Sequence, residues 1–195
     1  MADQSYFAHP TAEVARDATI GAGTKIWHQS QIMPGARIGE HCKLGKSVYV
    51  DLGVTIGNRV KIQNGISVYK GVTVEDDVLL GPHMVFTNDL YPRAFNDSYE
   101  ILPTLVKRGA SIGANATIVC GVVLGNFCMV GAGAVVTADV PDFALVVGSP
   151  ARVIGYVCEC GKRLAVDYKS KKDGQVHCER CGKQFKIEAS QLSVI

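Results

Sequence analysis

The sequence predicts an all-β protein, a parallel β-helix, and three observations lead to that prediction. Every sixth residue from Val14 to Phe86 is apolar, and the same series resumes from Ile112 to Val136. A mostly small residue lies four positions after the apolar members, and glycine often follows a member directly, as in Ile38-Gly39. Six residues make one short strand and one turn, so the period indicates a strand-turn unit that repeats along the chain.

Each unit is expected to point its aliphatic residue and its small residue into the core. Three units close one triangular coil of about 18 residues, and successive coils stack as parallel strands about 4.8 Å apart. The repeat therefore predicts a prism of about six coils, roughly 29 Å long. The glycine after the aliphatic residue is expected at the corner, where it provides the backbone angles and the close approach that a tight turn needs.

The series breaks once, and the break predicts an inserted loop over about residues 88–107. The segment starts with Asn88 and Asp89, continues through Tyr91-Pro92-Arg93, and is polar and turn-rich. A long loop on an otherwise regular solenoid favours a functional role. The prism is expected to span residues 1–155, with the first 13 residues and the tail beyond residue 155 covering its open ends.

Four cysteines crowd the tail and predict a zinc-ribbon-like unit over residues 156–195. Cys158 and Cys160 form one pair, Cys178 and Cys181 form the other, and Gly-Lys follows each pair. Four thiolates bind Zn²⁺ tetrahedrally in structural sites, and so short a unit cannot bury a large core without such a staple. A redox-active dithiol pair and free thiols are the alternatives, and His177 is a substitute ligand.

Composition and charge exclude several functional classes. Hydrophobic residues make up 47% of the 195 residues and charged residues 19%, which is typical of a globular protein. The formal net charge of +2 gives no indication of nucleic-acid or membrane binding, and no apolar run is long enough to span a bilayer. The first residues lack the features of a secretory signal, so we expect a cytoplasmic protein. The scattered Cys42, Cys120 and Cys128 are expected to be small buried hydrophobic residues.

Several motifs narrow the interpretation to one family. They are KIQNGISVY at 61–69, GPHMVFTN at 81–88, YPR at 91–93, GAGAVV at 131–136 and GSPAR at 148–152. With the repeat over residues 10–155, they resemble the hexapeptide-repeat acyltransferases, and among these the sugar-nucleotide 3-N-acetyltransferases such as those acting on UDP-2-acetamido-3-amino-2,3-dideoxyglucuronate. The resemblance implies a left-handed coil, a homotrimer with active sites between subunits, and acetyl transfer from acetyl-CoA to a UDP- or dTDP-linked 3-amino sugar. It also implies a place in lipopolysaccharide or other surface-polysaccharide synthesis.

The resemblance also implies roles for individual residues. Asn88 is expected to orient the reacting amine, since an amide side chain cannot act as a base at neutral pH. The departing CoA sulfur takes the proton, and His83 is the alternative base. The residues expected to contact the sugar nucleotide are His28, Lys61, Gln63, Asn64, Tyr69 and Arg93. Those expected to contact CoA, through backbone amides, phosphate-binding cations or apolar packing, are Lys107, Gly109, Ala110, Gly131, Ala132, Pro150 and Arg152.

Three rival functions follow from the same residues. A sugar O-acetyltransferase needs a base for its weaker hydroxyl nucleophile, and His83 would supply it. A non-enzymatic β-helix scaffold is a second rival, which the inserted loop and the GSPAR segment disfavour. A zinc-dependent carbonic anhydrase of this fold would need paired histidines, but His28, His41 and His83 include no two that lie five residues apart.

Overall fold

The computed structural model describes residues 5–96, 100–167, 173–188 and 191–195, and the regular secondary structure of these residues consists of β-strands. In chain order the strands are β1 (Phe7–Ala8), β2 (Glu13–Val14), β3 (Thr19–Ile20), β4 (Lys25–Ile26), β5 (Gln31–Ile32), β6 (Arg37–Ile38), β7 (Lys43–Leu44), β8 (Tyr49–Val50), β9 (Thr55–Ile56), β10 (Lys61–Ile62), β11 (Ser67–Val68), β12 (Val72–Val74), β13 (Leu79–Leu80), β14 (Val85–Phe86), β15 (Thr104–Val106), β16 (Ser111–Ile112), β17 (Thr117–Ile118), β18 (Val123–Leu124), β19 (Met129–Val130), β20 (Val135–Val136), β21 (Ala144–Val147), β22 (Arg152–Tyr156), β23 (Gly174–His177), β24 (Gln184–Glu188) and β25 (Gln191–Val194). The predicted prism, loop and tail also include residues 1–4, 97–99, 168–172 and 189–190, which lie outside the described part.

The strands repeat in groups of three, and each group forms one coil of a parallel solenoid. The first face contains β1, β4, β7, β10, β13, β16, β19 and β21, and the third contains β3, β6, β9, β12, β15 and β18. The second face has β2, β5, β8 and β11 in one sheet and β14, β17 and β20 in another. In the regular part Lys25 pairs with Lys43 and Lys43 with Lys61, so equivalent residues are 18 apart.

The prism is longer than the predicted six coils, because its first face carries eight parallel strands. Ala8 of β1 and Val106 of β15 continue the six-residue spacing beyond the strongly apolar series, and β21 adds a strand after an irregular corner. The predicted six-residue period is therefore confirmed, and the predicted number of coils was too low. Ala8 and Val106 also occupy strand positions, although neither was part of the apolar series.

The inserted loop leaves the second face after β14 and the chain returns at β15. Strand β15 pairs with β12 below and β18 above, so residues 104–106 of the predicted 88–107 insert belong to the prism. An antiparallel bridge between Asp89 and Ile101 closes the base of the excursion. The excursion exposes Leu90, Tyr91 and Phe95 to solvent.

The core follows directly from the two-residue strands. In most strands one residue is exposed or half-buried and the next is buried, as for Arg37 and Ile38, because successive side chains point to opposite faces. The small inward residues, such as Ala36 and Ala116, are fully buried beside the aliphatic ones. The three scattered cysteines are buried as predicted. Burial raises the pKa of Cys128 to about 12, so this thiol behaves as an apolar core group.

A corner requires close backbone approach and a left-handed backbone conformation. The sequence analysis assigned both to one glycine, but they fall on two different residues. The glycine after the aliphatic residue provides the close approach, since a Cβ on Gly39 would lie 2.6 Å from the carbonyl oxygen of Gly57 in the next coil. The left-handed backbone conformation falls two residues later, at His41 and at every sixth residue along the regular corners. Glycine fills many of these positions, as at Gly53, while Arg59 and other side chains fill the rest.

The tail packs against the last coil. Strand β22 runs antiparallel to β21 and ends the parallel order of the first face, and β23, β24 and β25 form a separate antiparallel sheet. Phe143 joins the two parts, since its ring stacks on Phe127 at 5.6 Å and meets Phe185 edge-on at 5.5 Å. Within the described ranges we find no helix long and apolar enough to cross a membrane.

Candidate functional site

Four of the predicted substrate-binding residues line one concave surface. His28, Lys61, Gln63 and Asn64 surround a depression of about 410 Å³, which we call the first depression. They meet because the 18-residue coil places residues 28, 46 and 64 in one column at the corner between the first and second faces. The structure assigns Asn64 a structural contact as well, since its side-chain oxygen accepts a hydrogen bond from the amide of Lys46 at 2.9 Å.

His83 belongs to the same corner as Asn64, and its amide donates to the carbonyl of Asn64. The side chain is exposed, and its ring lies over Gly65 of the preceding coil, where a Cβ would be 2.5 Å from Nδ1. His41 lies over Gly23 in the same way at another corner. The ring orientation of His83 is therefore explained by corner packing that recurs in the repeat.

Asn88 lies at a different corner from His83. The two residues flank β14, which crosses the second face, so they lie at opposite edges of that face. Asn88 is half-buried and starts the excursion, and Tyr69 follows the preceding strand of the same face. Arg93 is exposed on the excursion and its guanidinium donates to the carbonyl of Pro92 at 2.8 Å.

The predicted CoA-binding residues of the middle coils lie at a third corner. Lys107 lines a second depression of about 420 Å³, together with Asp139, Asp142 and Leu192 of the tail. Gly109 is covered by the ring of Phe127, and its amide already donates to a backbone carbonyl of the preceding coil. The side chain of Ala110 is buried in the core, and its amide also has an internal acceptor. Both amides therefore already have acceptors within the fold, one in the neighbouring coil and one in the same corner, and the contacts of Gly109 and Ala110 with CoA stay predictions.

The later CoA-binding candidates lie at the corner that also carries His83. The amide of Gly131 donates to the carbonyl of Val146, whereas Ala132 is exposed beside it. The turn that contains Pro150 covers the last coil through backbone hydrogen bonds to Val135. Arg152 is exposed, and its guanidinium donates to the carbonyl of Ala151.

The predicted site residues therefore fall into groups at different corners of one chain. The first corner carries the first depression, His83 and the closing turn; the second corner carries Tyr69, Asn88 and Arg93; the third carries Lys107. A single chain does not bring the histidine and asparagine candidates together. Corners of two chains must meet if these groups are to form one site.

The four tail cysteines converge as predicted. The Sγ atoms of Cys158 and Cys181 are 3.4 Å apart, those of Cys160 and Cys178 are 3.6 Å apart, and all four lie within 4.8 Å of one another. A disulfide would need about 2.05 Å, whereas Zn–S bonds of about 2.3 Å in a tetrahedron place the sulfurs about 3.8 Å apart. The spacing fits a tetrahedral metal, and both distances are too long for a disulfide bond.

Sequence reasoning missed two prominent residues of the first depression, Trp27 and Lys43. Both line it, and Trp27 is 40% exposed. The signal was present in the sequence, because residues 25, 43 and 61 are all lysine at the 18-residue interval. This interval places the three lysines at equivalent outward positions of successive coils, one column away from the polar residues 28, 46 and 64.

Comparisons with known proteins agree with this architecture. A family model described as hexapeptide repeat of succinyl-transferase matches residues 35–70 and 108–138, and the bacterial transferase hexapeptide model matches residues 17–51. Over 183 residues the chain is 46% identical to a dTDP-3-amino-3,6-dideoxy-alpha-D-galactopyranose 3-N-acetyltransferase of Aneurinibacillus thermoaerophilus, covering 94% of this chain and 92% of the relative. The chain belongs to the hexapeptide-repeat acyltransferase family.

Solved structures of the family share the fold at low sequence identity. A polySia-specific acetyltransferase is 20% identical with a TM-score of 0.51, covering 77% of this chain and 85% of that one. The UDP-N-acetylglucosamine acyltransferase of Campylobacter jejuni is 14% identical with a TM-score of 0.51, covering 78% and 73%. At these identities the likeness concerns the fold alone.

Proposed function

We propose that the protein is an acetyl-CoA-dependent N-acetyltransferase that acts on the 3-amino group of a UDP- or dTDP-linked sugar in surface-polysaccharide biosynthesis. One observation carries the proposal. The relative from Aneurinibacillus thermoaerophilus, named as a 3-N-acetyltransferase of a dTDP-linked 3-amino sugar, is 46% identical across 94% of this chain. The lysines that line the first depression support it, because positive charge suits an anionic nucleotide ligand.

The proposed chemistry asks little of the side chains. The neutral amine attacks the thioester carbonyl, the carbon–sulfur bond breaks, and the departing sulfur takes the proton that the nitrogen releases. Positioning then supplies most of the catalysis. Asn88 has the role of a positioning hydrogen-bond partner for the amine, and its half-buried place where the excursion leaves the prism suits that role. Arg93, on the excursion, would pair with a phosphate or a sugar carboxylate through its planar fork.

The proposed assembly is a homotrimer with its active sites between neighbouring prisms. Two features support it: the candidate residues occupy separate corners, and the second face, the corner that follows it and the excursion carry exposed apolar side chains. These are Leu52, Val85, Leu90, Tyr91 and Phe95. Sedimentation equilibrium is expected to give three times the chain mass. A monomer with full turnover would contradict the shared site.

The acetyl donor is placed along the later coils. Lys107 and Arg152 lie at different corners, so they would meet the CoA phosphates from neighbouring chains, and Pro150 and Ala132 would contact its less polar parts. Gly109 and Gly131 would then shape the surface without donating their amides, while the buried Ala110 would support that surface from the core. A cytoplasmic location accords with seven cysteines that form no disulfide, since reduced cysteines persist in reducing compartments.

A structural Zn²⁺ held by Cys158, Cys160, Cys178 and Cys181 completes the proposal. Their sulfur spacing supports it, and the metal would act as a staple remote from the acetyl transfer. Metal analysis of the purified protein is expected to find about one zinc per chain. Two free dithiols, titrated fully in a metal-free and folded protein, would contradict the assignment.

The deciding experiment incubates the protein with acetyl-CoA and a panel of UDP- and dTDP-linked 3-amino sugars, and follows CoA release with a thiol reagent. Turnover on one member is expected, and would name the nucleotide and the sugar together. No CoA release with any amino sugar, together with CoA release with a hydroxyl acceptor, would favour the rival O-acetyltransferase.

Two variants separate the rivals further. Asn88→Ala is expected to lower turnover by about a hundred- to a thousandfold, which corresponds to about 2.7–4 kcal/mol in the barrier, as for other preorganised hydrogen-bond donors. Its effect on stability is expected to be small. His83→Ala is expected to change turnover much less, because the ring already has a packing role. The reverse pattern would assign His83 as the base of an O-acetyltransferase.

A further inference from the structure

The first depression exists because one outward column lacks a side chain in its middle. Trp27, Gly45 and Gln63 follow the first-face strands β4, β7 and β10 at equivalent positions. Gly45 is required there, since a Cβ would lie 2.5 Å from Oδ1 of Asn64. Trp27 and Gln63 are thus two coils apart, about 9.6 Å by strand spacing, with a glycine floor between them. This gap admits a planar ring.

A column of like charges borders the same gap. Lys43 and Lys61 are directly paired on the first face, and Lys46 lies at the adjoining corner. Like charges directly opposite one another destabilise a sheet. The ion pairs found among the described residues involve other cations, such as Arg59 with Asp77. A concave surface with three lysines and no ion-paired carboxylate therefore suits an anionic ligand.

Trp27 is both exposed and held in place. Its ring is nearly parallel to His28, with 9° between the planes and 6.2 Å between the centroids, and it meets Phe7 at 5.6 Å. His28 in turn stacks on His9 at 3.5 Å. An aromatic ring that neighbours already orient loses little freedom when a ligand stacks on it. Such rings serve as platforms for nucleobases, which all present a flat face.

We propose that the first depression binds the nucleoside diphosphate part of the sugar nucleotide. The base stacks on Trp27 and hydrogen-bonds with the amide of Gln63, and the two phosphates lie against Lys43, Lys46 and Lys61. The inference rests on the proposed function and deepens it. It places the nucleotide in the N-terminal coils, at the same corner that carries His83 in the next coil. The closing turn at the opposite end is left for CoA.

The protein provides its own probe, because Trp27 is its single tryptophan. The intact protein is titrated with dTDP, UDP and inorganic pyrophosphate while tryptophan fluorescence is recorded. Both nucleotides are expected to quench the emission saturably. Pyrophosphate is expected to leave the emission unchanged and to raise the dTDP concentration needed for half-quenching, since it occupies the lysines without a ring.

Matched lysine variants test the contribution of charge. Lys43→Gln and Lys61→Gln are each expected to weaken dTDP binding about two- to fivefold, the range of exposed ion pairs. Lys25→Gln is the control, because Lys25 occupies the same column one coil earlier and does not line the depression. Calorimetry on Trp27→Phe and Trp27→Ala tests stacking: the alanine variant is expected to bind about tenfold more weakly, and the phenylalanine variant nearly normally.

Three results would overturn the inference. The emission could stay constant at saturating dTDP that calorimetry shows to be bound; Lys25→Gln could weaken binding as much as Lys43→Gln; or CoA could displace dTDP and quench Trp27 itself, which would assign the depression to the acetyl donor. Turnover of an amino sugar without Trp27 quenching would refute this subsite alone. Quenching by dTDP without turnover of any acceptor would refute the proposed reaction and retain the nucleotide site.

Discussion

The prism and the tail are stabilised in different ways. Along the prism each coil buries an aliphatic residue and a small residue at every face, and one continuous apolar cluster runs from Ile26 to Val146. The tail has a cluster of far fewer residues, and Cys158 and Cys178 are themselves part of it. The difference shows that each coil of a repeat is stabilised by burial against the adjacent coils. A short unit that does not repeat buries too little and needs a cross-link such as a metal site.

Loss of the proposed zinc is the change with the largest expected effect on this comparison. Chelation, or Cys178→Ser, is expected to unfold the tail and leave the prism folded, since structural zinc supplies about 10–16 kcal/mol in small zinc domains. Limited proteolysis should then cut beyond residue 156 while the β signal in circular dichroism largely persists. Cys120→Ala, which removes a buried thiol from the prism, is the control and should keep the metal. An unchanged protease pattern in Cys178→Ser would show that the tail folds without a staple.

A core substitution tests the prism itself. Ile38→Ala is expected to lower the free energy of unfolding by about 2–5 kcal/mol, because the 2% exposed side chain leaves a cavity. Arg37→Ala on the same strand is the control and should change it by less than about 0.5 kcal/mol. Urea unfolding of both variants measures the difference. Equal costs would contradict the inward and outward assignment of β6.

Substitutions at the two kinds of corner glycine, those with a left-handed backbone and those at a close approach, are expected to change the free energy of unfolding by a smaller amount. Gly53 has a φ of +66° and open space around its missing Cβ, so Gly53→Ala is expected to cost about 1–2 kcal/mol through backbone strain alone. Gly53→Asn should recover much of that, because asparagine tolerates this conformation, as Asn115 does at an equivalent position. At Gly39, where neighbouring atoms crowd the site, asparagine should be no better than alanine. Thermal unfolding measures all four variants, and a rescue by asparagine at Gly39 would contradict the distinction.

Acid is expected to have the smallest effect. Hydrogen bonding and ion pairing with Arg59 hold the pKa of Asp77 below its ordinary value, so the carboxylate stabilises the fold above the unfolded pKa of about 3.9 and loses that contribution as pH falls below it. The pair is partly exposed, so the contribution is about 1 kcal/mol or less. Asp77→Asn should therefore be less stable than the parent at pH 7 and nearly equal to it at pH 3. Exposed Asp17→Asn is the control, and a pH-independent deficit in Asp77→Asn would refute the linkage.

The site was predictable where the repeat determined position. His28, Lys61, Gln63 and Asn64 share a surface because the 18-residue coil stacks residues 28 and 64 two coils apart and leaves residues 61 and 63 beside them. The roles of Gly109 and Gly131 were not predictable, since only the folded ladder shows that their amides already have acceptors. The sequence distance between His83 and Asn88 was misleading, because one strand places them at opposite edges of a face.

The sequence by itself determined the parallel solenoid, its inward residues and the convergence of four cysteines. These depend on local periods and on ligand chemistry, and both are written directly in the residue order. Only the tertiary structure decided how many coils form, which corner each functional side chain occupies, and that Trp27 and two paired lysines border one depression. Those features arise from contacts between coils, because the burial and the hydrogen-bond partners of a residue there depend on residues that are distant in the sequence.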